Sequence, residues 1–350
     1  MVSIIIVNYN GKNLLPSCFK SLWKLNYPKE KFEVLLVDNA STDGSVEFVR
    51  ENFKWIRIVE MDRNYGLMPA VNRSVPDSKG DAIVLLNTDT IVDENWLFEL
   101  VTTAYSSKKV GISGSKVLFM YKPNLIQFAG GYLNSLGGAL SPYYAQENKL
   151  HQTEMPSGYI IGCSLLIKKN IFNLIEGFDE DFFMYGEESD VCWRTWLYGY
   201  SVMYNPASIV YHVGAASRKD ALVTGAEYEF KRGYLGARLS SETNIYHGNK
   251  NALITILKNL EFKNIPSALL FSFIYMLVQS IILLRDKQGK FVLLLIRAHW
   301  WPITNLRMIW KKRLKIQKKR KVSDDALFKR NIVLPLSKLL KFVLSSQRNK

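Results

Sequence analysis

Apolar β-branched runs alternate with amphipathic segments along the first 110 residues. The runs lie at residues 2–7, 34–37, 56–59 and 82–86. Each suits a strand that is covered on both faces, whereas residues 14–24 and 45–52 have the apolar spacing of a helix. Strands that alternate with helices indicate a parallel sheet with right-handed crossovers. The pattern predicts an α/β fold with a Rossmann-like, mostly parallel sheet flanked by helices.

The pattern changes after residue 110. Residues 111–158 are rich in Gly, Ser, Asn and Tyr, which indicates loops and short strands. Tyr159–Lys168 and Ser201–His212 have the composition of strands, and Phe182–Tyr200 that of a helix entered through an acidic turn. Residues 266–284 carry no charged side chain. We therefore expect two regions, 1–250 (with halves 1–110 and 111–250) and a helical region 251–350.

The positive charge of the chain is confined to its C-terminal region. The net charge is +15, yet residues 285–350 hold 19 Lys and Arg against 3 Asp and Glu, while the preceding residues hold 27 against 28. Such a region suits anionic lipid or nucleic acid. Because no nucleic-acid recognition motif accompanies it, we expect an anionic membrane surface as the partner and no nucleic acid.

The cysteines and the first residues bear on the cellular compartment. Cys18, Cys163 and Cys192 follow neither a disulfide framework nor a Cys-x-x-Cys spacing, which favours a reducing compartment. The apolar run that begins at Val2 has no basic segment before it, so we interpret it as a strand and not as a signal peptide.

Three of the predicted strands end in polar side chains: Asn8-Tyr9, Asp38, and Asn87-Thr88-Asp89. Ligands of open parallel sheets bind outside the carboxyl ends of the strands, so these tips predict one shared rim. Asp38 suits a base or ribose, Tyr9 can stack on a base, and Asp89 can hold a cation that neutralises a diphosphate. Each acid alone also fits a solvated loop. The missing G-x-G-x-x-G motif argues against a dinucleotide cofactor.

A second group of acids lies among aromatic residues between Asp179 and Asp190. On a helix, Asp190 and Arg194 stand at i and i+4 and can pair, which favours an orienting role for Asp190. Glu188 is then the freer carboxylate and the candidate general base, since burial among aromatics raises a carboxyl pKa. The alternative is a set of helix N-terminal acids that complement the dipole.

His212 follows a predicted strand and precedes the small-residue loop Val213–Ser217. A lone histidine is more often structural than a ligand. Together with Asp89, diphosphate oxygens and water, however, it would complete an octahedral site for Mg²⁺ or Mn²⁺.

In order and spacing, these motifs resemble the family 2 glycosyltransferases with a GT-A fold, and most of all the rhamnosyltransferase-like branch. The resemblance is carried by VSIIIVNYN (2–10), VDNASTDG (37–44), NYG (64–66), Asn72, LNTD (86–89), EESD (187–190) and His212. Asn87 and Glu188 stand where the family usually has Asp.

The resemblance implies a role for each matching residue. Asp38 would recognise the base or ribose, Asp89 and His212 would bind the metal, and Glu188 would be the base, with Asp190 beside it. The remaining nucleotide-sugar-binding positions would be Asn8, Tyr9, Asn64, Asn72 and Asn87.

The expected function is that of an inverting glycosyltransferase that moves a sugar from a nucleotide-sugar donor to a glycan acceptor, in surface polysaccharide or glycoconjugate synthesis. The acceptor would be lipid-linked, and the location the cytoplasmic face of the membrane. Residues 266–284 and 291–306 would form a helical hairpin in the lipid leaflet, with residues 311–321 on anionic lipid. The alternatives are a nucleotidyltransferase, which usually has a Gly-rich loop after the first strand, and a basic nucleic-acid-binding protein.

Overall fold

The computed structural model describes residues 1–214 and 241–341. The strands of this part are β1 (Val2–Asn8), β2 (Phe32–Asp38), β3 (Arg57–Glu60), β4 (Ala82–Leu86), β5 (Thr90–Val92), β6 (Val110–Phe119), β7 (Lys122–Phe128), β8 (Tyr132–Asn134), β9 (Ala139–Leu140), β10 (Met155–Pro156), β11 (Ser164–Lys168), β12 (Ser201–His212) and β13 (Val333–Leu334). The helices are α1 (Leu15–Trp23), α2 (Ser45–Asn52), α3 (Leu67–Ser74), α4 (Trp96–Tyr105), α5 (Lys169–Leu174), α6 (Glu187–Leu197), α7 (Glu242–Asn259), α8 (Ile265–Arg285), α9 (Val292–Thr304), α10 (Leu306–Lys319) and α11 (Asp324–Lys329).

The main sheet has the strand order β10-β12-β6-β11-β4-β1-β2-β3, and β5 and β7 pair with β12 and β6. The four strands β1 to β4 are parallel, as the sequence predicts. The other half of the sheet is mixed, because β11 runs antiparallel between β4 and β6. Ser164, the first residue of β11, therefore lies opposite Leu86, the last residue of β4.

Successive residues of the parallel strands face two separate cores. Ile4 and Ile6 of β1 pack on one side of the sheet and Ile5 on the other, and all three are buried. Both faces are covered by helices, which explains why these strands are continuously apolar instead of alternating.

Three elements differ from their predicted form. β6 occupies residues predicted as loops and short strands, because its polar residues are buried and internally paired: the Ser113 hydroxyl donates to the Leu100 carbonyl at 2.8 Å. The strand predicted from Tyr159 begins only at Ser164. The helix predicted from Phe182 begins only at Glu187. Tyr185 and Gly186 have φ angles of 69° and 89°, which a right-handed helix does not accommodate.

The C-terminal helices share a core with the sheet. Leu253 and Ile256 of α7 and Ile316 of α10 belong to the same buried cluster as Ile5 of β1. The boundary that we expected after residue 250 falls inside α7, which spans Glu242–Asn259. The second half of this helix contributes to the core that it shares with the sheet.

Helices α8 and α9 form a hairpin that packs on α7. Met276 and Leu283 of α8 contact Leu295 of α9 and Ile245 of α7. Within the described residues, Phe262–Arg285 is the one helical stretch long and apolar enough to cross a membrane, and 22% of it is buried. The opposite side of the hairpin, called here the apolar face, is exposed. It comprises Leu270, Phe273, Ile274, Leu277, Val278, Ile281, Leu284, Leu293, Ile296, Trp300 and Ile303.

Part of the basic run at residues 311–321 contacts the rest of the protein, whereas Lys311, Lys315, Lys318 and Lys321 are exposed. The expectation that this run lies on anionic lipid stays a prediction for its exposed part. Lys312 pairs with Asp179 and Asp181. Arg313 donates to the carbonyls of Leu257 and Leu260. Further ion pairs join Lys315 and Lys319 to Glu176, and Arg320 to Asp324. These cations are attracted to a local group of acids, a tertiary contact that net charge does not reveal.

Candidate active site

The tips of β1 and β2 are joined through Asp38. Asn8 lies opposite Asp38 in the sheet, and its amide donates to Asp38 Oδ1 at 3.0 Å and to Ser45 Oγ at 2.9 Å. The backbone N–H of Ser41 donates to Asp38 Oδ2 at 2.9 Å. Asp38 is buried, and its hydrogen bonds orient the loop that leads into α2. Next to this pair, Tyr9 is 54% exposed at the rim, which leaves its ring open to a planar ligand.

Asn64 and Asn72 hold loops near the rim. Asn64 Oδ1 accepts from the Asn39 amide at 2.8 Å and from the Gly66 N–H at 2.9 Å. Asn72 exchanges two hydrogen bonds of 2.9 Å with the backbone of Phe178. The structure thus gives both side chains a scaffolding contact, and Asn72 links α3 to the segment that precedes α6.

Asp89 and His212 are brought together by the pairing of β5 with β12. Thr90 lies opposite His212 in this ladder, so Asp89 is adjacent to the imidazole, with Asp89 Oδ1 3.2 Å from His212 Nε2. His212 Nδ1 lies 2.7 Å from Gln127 Oε1, and this contact fixes the ring so that Nε2 faces Asp89.

The protonation of this pair follows from its burial and its neighbours. Burial lowers the pKa of His212, but Cys163 and Asp89 outweigh it and raise that pKa to about 10. Burial likewise raises the pKa of Asp89, but the hydrogen bond and charge of His212 lower it further than burial raises it. The pair is an ion pair when no other cation is present.

The donor set fits a divalent metal ion. Two neighbouring ligands of an octahedral ion at about 2.1 Å stand about 3 Å apart, close to the separation of Asp89 Oδ1 and His212 Nε2. In the described part of the chain, no three His, Cys, Asp or Glu side chains converge as a metal cage. Two protein ligands leave the remaining positions to water and phosphate oxygens. Residues 215–217 of the predicted small-residue loop lie outside the described residues.

The first turn of α6 carries the adjacent acids Glu187 and Glu188. Within the described part of the chain, each has one buried carboxylate oxygen with no hydrogen-bond partner. Burial and the charge of Glu188 raise the pKa of Glu187 well above its ordinary value. Burial also raises the pKa of Glu188, although its own N–H and that of Gly162 partly offset the effect.

The segment Gly162-Cys163 connects these acids to the Asp89–His212 pair. The Gly162 N–H bonds Glu188, and a Cβ at Gly162 would lie 4.0 Å from the Glu188 Cδ. The next residue, Cys163, contacts His212 through its thiol and accepts a 3.2 Å hydrogen bond from the Asn87 N–H. Glu188 and His212 therefore border the same small region at the rim. Sequence reasoning missed the role of this segment, because Gly162 and Cys163 lie inside the strand predicted at Tyr159–Lys168, whereas the observed strand begins at Ser164.

Asp190 lies behind the rim in a buried ion-pair network. Arg194 Nη2 is 2.7 Å and Lys258 Nζ 3.0 Å from its Oδ2, and the Asn259 amide donates to its Oδ1 at 2.9 Å. The predicted pair with Arg194 is confirmed. These contacts anchor α6 to α7 and leave the neighbouring Glu188 to face the rim.

Comparison with known proteins bears on the family and the fold. Residues 3–175 match the family described as Glycosyl transferase family 2. The O-antigen biosynthesis protein RfbC of Myxococcus xanthus is 28% identical over 65% of this chain, which spans only 18% of that protein. The N-acetylglucosaminyl-diphospho-decaprenol L-rhamnosyltransferase of Mycobacterium tuberculosis is 27% identical over 53% of this chain and 67% of its own length.

Among solved structures, the mannosyltransferase PcManGT of Pyrobaculum calidifontis, in complex with GDP-Man and Mn²⁺, is similar in fold. The TM-score is 0.53 at 17% identity, over 91% of this chain and 85% of that chain. The expected α/β GT-A-like fold with a C-terminal helical region is confirmed. Residues 3–175 of the chain, just under half of its length, belong to glycosyl transferase family 2.

Proposed function

We propose that the protein is an inverting glycosyltransferase that transfers a hexosyl or rhamnosyl group from a nucleotide-sugar to a lipid-linked glycan acceptor, in the synthesis of a surface glycan. The observation that carries the proposal is the adjacency of Glu188, Gly162-Cys163 and the Asp89–His212 pair at the carboxyl ends of β1, β2 and β4. A base and an anion-neutralising site side by side are what a direct displacement at a sugar carbon requires.

In this proposal the residues of the rim have separate roles in binding the nucleoside and the diphosphate of the donor. Asp38 and Asn8 hold the loop that receives the nucleoside, and Tyr9 stacks on the base. Asn64 and Asn72 shape the neighbouring loops, and Asn87 lies beside the diphosphate. A Mg²⁺ or Mn²⁺ ion held by Asp89 and His212 would neutralise the charge of the diphosphate.

Glu188 removes the proton of the acceptor hydroxyl, and that oxygen forms the new bond to the anomeric carbon. The bond from the anomeric carbon to the diphosphate oxygen breaks, and its electron pair leaves with the nucleoside diphosphate. Attack from the side opposite to the leaving group inverts the configuration. Glu188 needs to be ionised for this step, and its raised pKa makes it a stronger base than an ordinary carboxylate.

The lipid-linked acceptor is supported by the apolar face of the hairpin. Ile281, Leu293 and Trp300 are each more than 60% exposed, although they lie on helices that pack tightly on the other side. A contiguous exposed surface of this kind marks a protein or membrane contact. Arg285, Lys287 and other cations flank it, which favours the anionic cytoplasmic surface of a membrane.

A donor screen tests the proposed reaction. The full chain is incubated with UDP, dTDP and GDP sugars, with Mg²⁺, Mn²⁺ or excess EDTA, and release of the nucleoside diphosphate is measured. We expect one donor class to be consumed when the metal is present, and Glu188→Gln to be inactive with that donor. Conversion of these donors with added pyrophosphate into nucleoside triphosphate and sugar 1-phosphate would instead indicate a nucleotidyltransferase and would contradict the proposal.

A further inference from the structure

The segment that leads to the proposed base has little internal support. Residues 179–186, called here the base loop, connect Phe178 to the first turn of α6. Inside it, the Phe182 N–H donates to the Asp179 carbonyl at 3.0 Å, while Tyr185 and Gly186 have positive φ angles. A loop of this form needs contacts from elsewhere to keep one shape.

Helix α7 supplies such contacts along one face. Lys250 Nζ donates to the Asp181 carbonyl at 2.7 Å, and the Asn251 amide donates to the carbonyls of Met184 and Tyr185 at 2.9 and 2.7 Å. Two turns further on, Lys258 is 1% exposed and pairs with both Asp179 and Asp190. Positions 250, 251, 254 and 258 follow the spacing of a single helix face.

Helix α10 supports the base loop from a second side. Lys312 pairs with Asp179 and Asp181, and Ile309 packs against the fully buried Phe182 together with Ile254 of α7. Two C-terminal helices therefore contact the base loop from residues that lie 66 to 133 positions later in the chain, outside the residues matched to the family.

We propose that α7 and α10 position the catalytic carboxylate, with Asn251 and Lys312 as positioning residues that fix the base loop and hence the first turn of α6. The inference rests on the proposed role of Glu188. It assigns the C-terminal region a part in catalysis besides membrane attachment. Helix α7 also connects the base loop to the α8–α9 hairpin. Its Ile245 packs on this hairpin, and its Lys250 lies 4.7 Å from the ring of Trp301 in α9.

The test compares Lys312→Met with Lys312→Arg and with Lys318→Met, an exposed lysine on the same helix, in the full chain. We expect Lys312→Met to lower kcat by roughly 10- to 100-fold, the range for a small displacement of a reacting group, with the donor KM unchanged. Amide hydrogen exchange of residues 179–190 should become faster, while that of residues 32–45 should not. Lys312→Arg should restore most of both properties, and Lys318→Met should resemble the parent protein.

Asn251→Ala is the second variant, because it removes two hydrogen bonds to the base loop without unpairing a charge. It should show the same fall in kcat and the same local increase in exchange. Parental kcat and exchange in both Lys312→Met and Asn251→Ala would overturn the inference, as would an equal loss in Lys318→Met. If the parent protein consumes no nucleotide-sugar, the proposed function fails. The exchange data then decide separately whether these helices hold the loop.

Discussion

Glu187 and Glu188 are neighbours of the same residue type with different surroundings. Burial and the negative charge of Glu188 both raise the pKa of Glu187, whereas the Gly162 N–H partly offsets the effect of burial on the pKa of Glu188. Two buried carboxylates side by side do not both ionise readily. The hydrogen bond from Gly162 favours the ionised form of Glu188, and Cys163, the next residue, contacts His212.

Replacing the proposed base should abolish most turnover. We expect Glu188→Gln to lower kcat by roughly 10²–10⁴-fold, the usual contribution of a general base, and to leave nucleotide-sugar binding by calorimetry unchanged. Glu30→Gln, which alters an exposed acid before the first residue of β2, is the matched control. A fully active Glu188→Gln variant together with a folded, inactive Asp190→Asn variant would mean that the two acids exchange roles.

The pH dependence follows from the raised pKa of Glu188. The base acts when ionised, so kcat/KM should fall as the pH falls through that pKa, and the midpoint should lie above the ordinary value of 4.5. Profiles from about pH 5 to about pH 9 at saturating Mn²⁺ measure this. Constant activity down to the acid end of that range would show that no such group limits the reaction.

Asp89 should be required for metal-dependent donor binding. Asp89→Asn removes a charged ligand, and we expect a loss of turnover of roughly 10²-fold or more and weaker Mn²⁺ binding in titrations with a nucleoside diphosphate. Asp77→Asn, which alters an exposed acid in the turn before β4, is the control. Full turnover of the parent protein in excess EDTA would refute the metal site.

At the scale of elements, helix α6 depends on partners that are distant in sequence. The sequence was sufficient for β1, β2, β4 and α2, because their apolar patterns are local, and the rule for parallel sheets then placed Asp38 and Asp89 at one rim. It was not sufficient for Gly162-Cys163, which reaches the rim only because β11 inserts antiparallel beside β4. Nor did it indicate Lys258 or Lys312, since long-range pairing of buried charges leaves no periodic signal.

The buried network of Asp190 should dominate the stability of this element. Asp190→Asn leaves Arg194 and Lys258 without their shared carboxylate, and breaking a buried ion pair in this way costs about 3–5 kcal/mol. Urea unfolding of the full chain measures the loss. Asp325→Asn breaks the exposed pair with Lys263 and should leave the free energy of unfolding nearly unchanged. Similar effects of the two substitutions would contradict the structural role of Asp190.

At the scale of the whole molecule, the chain has two chemically distinct surfaces. The rim of the sheet is polar and carries the proposed reaction, whereas the apolar face of the α8–α9 hairpin carries exposed aliphatic side chains and Trp300. Much of the positive charge of α10 is already paired with Glu176, Asp179 and Asp181. Membrane attachment should therefore depend on apolar area more than the net charge of the tail suggests.

Flotation with anionic liposomes tests this attachment. The full chain should float, and high salt together with mild detergent should release it better than salt alone. Leu277→Glu with Ile281→Glu should reduce binding by roughly 10²- to 10⁴-fold, because each buried aliphatic side chain contributes about 1.5–3 kcal/mol. Phe98→Glu, an exposed apolar residue on α4, should float normally. A parent protein that does not float with the liposomes would contradict membrane attachment and would show that the apolar face has another partner.

The contact between Lys312 and Asp179 joins residues 133 positions apart. During synthesis, the base loop leaves the ribosome long before α10 does. The nascent chain can complete its sheet, but the loop next to Glu188 lacks its contacts with α10 until α8 and α9 have also emerged. If α7 and α10 hold the base loop as proposed, the chain reaches its full rate of sugar transfer only after the α8–α9 hairpin has been made. The order of translation then delays full turnover until the apolar face of that hairpin is present.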